Sequence, residues 1–233
     1  MAMPRPTYTR TWPPLTEVPG LYPDARNRAN RGPQLYRAGK CFPLSRPIDT
    51  RGRVPVLAVG SNAYPRQLAD KLDGTVADLQ GIPLVPTILR GFDVAYCPVR
   101  SRKGYVPVTL ASRPGAVCLT WLQWLTLDQL NLISASEGSR YALVGGESLA
   151  DAALIPPHWR KPAVVFAWWF DALLCCDDSV QWLDVFRPPG RQQSGLQIES
   201  ADACPSPIPE DWRAISREPA QHRLNPEFMS ALC

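Results

Sequence analysis

Two short groups of residues have the types that could do chemistry, Glu137 and the run Val59-Gly60-Ser61-Asn62. Gly60, Ser61 and Asn62 follow a β-branched apolar run and precede Pro65. That order reads as strand, tight turn and helix start. Such a junction turns backbone N–H groups toward open space, where they can hold a carboxylate or an oxyanion. Glu137 follows a helix-period segment and precedes Gly138, so it falls at a helix C-terminus. The helix dipole makes this an unfavourable place for a carboxylate. An unfavourable setting is one route to an acid–base group that works near neutral pH. Taken singly, each group has a plainer reading: an ordinary turn and a solvated helix-end acid.

The elements that must position these groups can be read nearby. Val54 to Val59 predicts a buried strand, and Gly60 supplies a residue for which the turn is cheap. Ser61 and Asn62 are suited to capping, and Leu68 and Leu72 recur at helical spacing. Thr126-Leu127-Asp128-Gln129 spells a capping box, so a short helix should run to about Ser136 with Gly138 closing it. Between these lie a predicted loop over 73–86 and strands over 87–96, 105–110 and 116–122. Arg113-Pro114-Gly115 is the expected turn. A last strand is expected over 163–170 and a short helix over 177–186.

Composition bounds the fold class. Of 233 residues 45% are apolar and 20% charged, as in a globular chain. The 26 prolines argue against a long helical bundle and for short strands and extended arms. Residues 1–52 form a proline-rich arm studded with Tyr8, Trp12, Tyr22 and Tyr36. It should wrap its own domain or a partner subunit, which leaves homo-oligomerisation through the arm open. Residues 53–186 form the central domain, and 187–233 a proline-rich C-terminal extension that Trp212, Phe228 and Leu232 could dock. The net charge of +4 comes without a basic block, so no nucleic-acid partner is expected. No segment predicts a membrane span, and Met1–Arg10 has no apolar run that would make it a signal peptide. Seven cysteines without a Cys-x-x-Cys pair, two of them adjacent at 175 and 176, read as reduced thiols of a cytoplasmic protein. His158 and His222 lie far apart, and nothing around either suggests a metal site.

Taken in order, the motifs resemble the γ-glutamylcyclotransferase-like superfamily. The resemblance rests on Val59-Gly60-Ser61-Asn62, Leu89-Arg90-Gly91-Phe92, Gly115 to Leu119, Leu127-Asp128-Gln129-Leu130, and Glu137-Gly138 with Tyr141. It spans roughly 54–143. Val59 stands where the family usually has tyrosine, and Ile133-Ser134 where Leu-Asp is common. The resemblance implies an α+β fold, a small mixed β-barrel with flanking short helices and a pocket at the barrel mouth. It also implies a reaction without cofactor or metal. The α-amine of a γ-glutamyl amide attacks the γ-carbonyl, 5-oxoproline forms, and an amine is released. Glu137 would be the acid/base. Val59, Gly60, Ser61 and Asn62 would cradle the substrate carboxylate, and Tyr141 would line the pocket or donate a hydroxyl.

Two other readings stand beside this one. The chain could keep the fold as a binding or scaffold protein without turnover. It could also process another amide in specialised metabolism, with Trp121, Trp124, Trp168 and Trp169 forming an aromatic pocket, although core packing is the commoner role for such residues.

Overall fold

The computed structural model describes residues 32–101, 105–137, 140–183 and 202–216. Three expectations lie outside them: the arm before residue 32, Gly138, and the docking of Phe228 and Leu232. In chain order the elements begin with β1 (Gln34–Arg37), β2 (Lys40–Pro43), β3 (Val54–Ala58), α1 (Pro65–Leu72) and α2 (Val76–Leu79). They continue with β4 (Ile82–Tyr96), β5 (Val108–Leu125), α3 (Leu127–Ser136), β6 (Tyr141–Gly146), α4 (Glu147–Ala152) and β7 (Ala153–Leu154). The last are β8 (Val165–Phe170), β9 (Ala172–Cys176), β10 (Ser179–Val180), β11 (Asp202–Pro205) and β12 (Arg213–Ser216).

The fold is mixed α+β, with one large sheet and few helices. The sheet runs β12-β6-β8-β3-β5-β4-β1-β2, with β7 added beside β4; β10-β9-β11 form a second, smaller sheet. All pairs are antiparallel except β3 with β8. The expected closed barrel is not found among the described residues, because the strand order is a path with two ends. The sheet nevertheless bends back on itself at the start of β5. Phe170 N–H donates to Thr109 Oγ1 at 3.0 Å, and Tyr141 Oη donates to the Val108 carbonyl at 3.1 Å.

Strand alternation sorts the core into two halves. Val54, Val56, Ala58, Phe166 and Trp168 join Leu68, Leu72, Leu130 and Ile133 of α1 and α3 on one face. Leu57, Val59, Ala167 and Trp169 join Leu149 of α4 and Trp212 on the other. Val94, Tyr96, Val106, Val108 and Leu110 share this second core as expected and the half-buried Phe92 packs against it, although β5 begins at Val108 rather than at residue 105.

Several local expectations are corrected. Residues 73–86 are not a loop: α2 forms there with Thr75 as N-cap, and β4 starts at Ile82. Arg113-Pro114-Gly115 does not separate two strands. It is a bulge within the continuous β5, where Arg90 faces Val117 but Phe92 already faces Ser112. Gly115 takes φ +78°, which is why glycine suits the bend. No helix begins at Asp177. Asp177 and Asp178 both take positive φ and turn β9 back into β10, a local geometry that short acidic side chains tolerate. Residues 33–52 and 202–216, set outside the central domain by composition, contribute β1, β2, β11 and β12 to the two sheets.

The reduced-thiol reading fails for two cysteines. Cys175 and Cys204 form a disulfide between β9 and β11. Adjacent residues on a strand point to opposite faces, so only one of the Cys175-Cys176 pair can face Cys204. Cys41, Cys97, Cys118 and Cys176 take part in no disulfide among the described residues. Among the described residues no helix is long and apolar enough to cross a membrane.

Candidate functional site

A cavity of about 1040 Å³ opens at the carboxyl ends of β3 and β8, the sheet's parallel pair. The capping box at Thr126 and Gln129 starts α3 as its sequence predicts, and Glu137 is the residue that caps its C-terminus. On the other side, β3 leads into a single 3-10 turn at Ser61–Ala63 and then into α1, whose first residue is Pro65. Val59, Gly60, Ser61, Asn62, Glu137 and Tyr141 all line this cavity.

The turn differs from expectation in two respects. Gly60 takes φ −125°, so glycine's left-handed freedom is not used there. Neither Ser61 nor Asn62 caps a helix with its side chain. Asn62 is turned toward the acid instead. Its Nδ2 donates to Glu137 Oε1 at 3.0 Å, and its backbone carbonyl accepts from the buried Gln123 side chain. The turn uses its later amides internally, with Ala63 N–H bonding Gly60 O and Tyr64 N–H bonding Ser61 O. The first amides of a helical turn have no partner within that turn.

Sequence reasoning missed Lys71. Its ammonium lies 2.7 Å from Glu137 Oε1 and 2.7 Å from Asn62 Oδ1. The two charged side chains are only 12% and 11% exposed. Glu137 therefore does not face the negative end of α3 alone, because a cation in contact offsets that cost. The orientation of the Asn62 amide follows from both partners, oxygen toward the cation and nitrogen toward the anion. A faint signal was available in the sequence. Gln67, Asp70 and Lys71 form a polar stripe at i, i+3 and i+4 on α1, beside the buried Leu68 and Leu72, and all three line the cavity.

The other wall comes from the segment between β4 and β5 and from the end of β8. Tyr105 lines it, with its phenol pushed up first by burial and then by the nearby Glu137 charge. Arg140 lies over the Phe170 ring at 4.5 Å and pairs with Asp171 at 3.1 Å. Tyr141 packs edge-on against Phe170, and its oxygen is 3.4 Å from the thiol of Cys97. Burial pushes that thiol up to about 12. Of the four tryptophans considered for an aromatic pocket, Trp168 lines the cavity; Trp121, Trp124 and Trp169 are buried in the core.

Comparison of the chain with protein-family models, characterised proteins and solved structures finds no match. The site must therefore be read from its own geometry. A cavity of this size admits a small organic molecule. Among the described residues its charged lining comprises three cations, Lys71, Arg100 and Arg140, and two acids, Asp70 and Glu137. Among the described residues there is no cluster of three or more metal-ligating side chains. The arrangement offers a carboxylate with one oxygen fixed by two donors, beside a turn that can present backbone amides.

Proposed function

We propose that this cavity is the active site of a γ-glutamyl cyclotransferase-type enzyme. The single observation that carries the reading is that Glu137 and the Gly60–Asn62 turn line one cavity, with Asn62 bridging them at 3.0 Å. Asn62 and Lys71 occupy Glu137 Oε1, while Oε2 has no partner among the described residues. In this mechanism Oε2 takes a proton from the substrate's α-amine. The amine nitrogen attacks the γ-carbonyl carbon, and the new C–N bond closes a five-membered ring. The original amide C–N bond then breaks, and the departing amine leaves with the proton that Glu137 carries. No water or cofactor is consumed. Holding the chain in its cyclising conformer supplies the proximity such a reaction needs. The backward bend of the sheet at Val108 and Thr109 supports the small-barrel architecture that goes with this reading.

The test is incubation with a panel of γ-glutamyl amines and γ-glutamyl peptides, with 5-oxoproline followed by mass spectrometry. Glu137→Gln should lower the rate by about 10²- to 10⁴-fold, the usual range for a general acid–base group. Activity that survives this change removes the mechanism.

One observation favours a second reading, a small-anion-binding protein without turnover. The Lys71–Glu137 pair already satisfies half of the carboxylate. In that case ligands would raise the melting temperature and no substrate in the panel would be converted.

A further inference from the structure

Lys71 is more than a counter-ion. A lysine ammonium has three N–H donors. Two are directed to Asn62 Oδ1 and Glu137 Oε1. The third has no partner among the described residues, and the side chain lines the cavity. We propose that this third donor receives the carboxylate of an anionic ligand, so that Lys71 positions the ligand against the free oxygen of Glu137. This deepens the reading given under Proposed function and rests on it for the identity of the ligand.

Three features support the assignment. First, the two known partners of Lys71 are fixed in place. Asn62 belongs to the turn after β3, and Glu137 caps α3, so the ammonium is held from two sides. A cation held this way loses little freedom when it binds a further group. Second, a carboxylate brought close to Glu137 would be repelled without a cation in contact with both. Lys71 already touches Glu137, so a carboxylate that reaches the ammonium meets a cation beside the acid. Third, Lys71 lies in the last turn of α1, one residue from the fully buried Leu72 and three from the fully buried Leu68. The backbone that carries it is anchored in the core. In this arrangement Lys71 is a positioning residue. It sets where the ligand's carboxylate sits, and so which carbonyl reaches Glu137.

The experiment compares carboxylates with their neutral amides. The probes are 5-oxoproline against 5-oxoprolinamide and glutarate against glutaramide, each titrated calorimetrically into the full-length protein. The native chain should prefer each carboxylate by about tenfold or more, as expected of one charge-assisted hydrogen bond. Lys71→Met should erase that preference, and Lys71→Arg should restore part of it. Removing the ammonium leaves the Glu137 charge without its partner, so Lys71→Met is measured alongside the double change Lys71→Met with Glu137→Gln, which leaves no orphaned charge. The double variant should also show no preference. A carboxylate preference that persists in either variant overturns the proposal, as does a native protein that binds neither carboxylate. Lys71-dependent binding of glutarate with no 5-oxoproline formed from γ-glutamyl amides would sink the proposed reaction and leave the anchoring role standing. Turnover that is retained, with a carboxylate preference indifferent to Lys71, would do the reverse.

Discussion

Trp168 and Trp169 are neighbours on β8 and turn to opposite faces of the same sheet. Trp169 packs edge-on against Trp212 at 5.3 Å and donates its indole N–H to the Ser206 carbonyl. Trp212 in turn stacks on Phe92 and donates to Ser148. On that face the indoles of Trp169 and Trp212 pack together and each finds a hydrogen-bond acceptor, at Ser206 and Ser148. Trp168 belongs to the other face, where α1 and α3 cover the sheet and a cavity remains beyond them. The two helices bury Leu68, Leu72, Leu130 and Ile133, but their ends carry Lys71 and Glu137. Close packing requires apolar side chains that interdigitate. Two facing charges cannot be buried without partners, so the polar helix ends pair with each other at the border of an open space.

That contrast can be broken most sharply at Trp169. Trp169→Ala should destabilise the fold by about 3–5 kcal/mol in urea denaturation, because it empties a filled core and frees Trp212. Trp168→Ala should cost less, since its space adjoins a cavity that already exists, and should alter ligand binding instead. Equal losses at the two positions would show that the faces are packed alike.

A smaller effect is expected from the charges. Lys71→Met should cost about 3 kcal/mol, the scale for removing one member of a nearly buried pair. Adding Glu137→Gln should recover more than half of it, and urea melts of the three variants complete the cycle. Simple additivity would mean that the pair is not coupled.

The smallest effect concerns Cys97, beneath the Tyr141 wall. Its thiol is raised in the folded state from 9.0 to about 12 by burial. A raised value means that the unfolded chain releases this proton first. Stability from this group is therefore intact below pH 9 and falls between about pH 9 and 12. At pH 10 the native protein should have lost about 1 kcal/mol more, relative to pH 8, than Cys97→Ala. Parallel pH profiles would place Cys97 in contact with water.

Much of the scaffold around the site was legible because its signals are local. The capping box at Thr126 and Gln129, Pro65 at the start of α1 and the continuous apolar run of β3 each act within a few residues. Glu137 and the Gly60–Asn62 turn could be named for the same reason. The long-range features were not legible. The Cys175–Cys204 disulfide spans 29 residues, and pairing at that distance leaves no local pattern. The continuity of β5 through Gly115 depends on β4 holding both halves of the strand, which a turn-like Arg-Pro-Gly sequence conceals.

The sequence alone determined where β3, α1 and α3 begin, that these elements carry apolar faces, and that one acid stands at a helix end. These follow from backbone preferences and periodicity, which need no distant partner. Only the tertiary structure decided that Lys71, Asn62 and Glu137 meet around a cavity. Sixty-six residues of chain separate Lys71 from Glu137, and their contact at 2.7 Å depends on how α1 and α3 pack on the sheet. Solvent, distance and charge pairing are properties of that packing, and no stretch of sequence contains them.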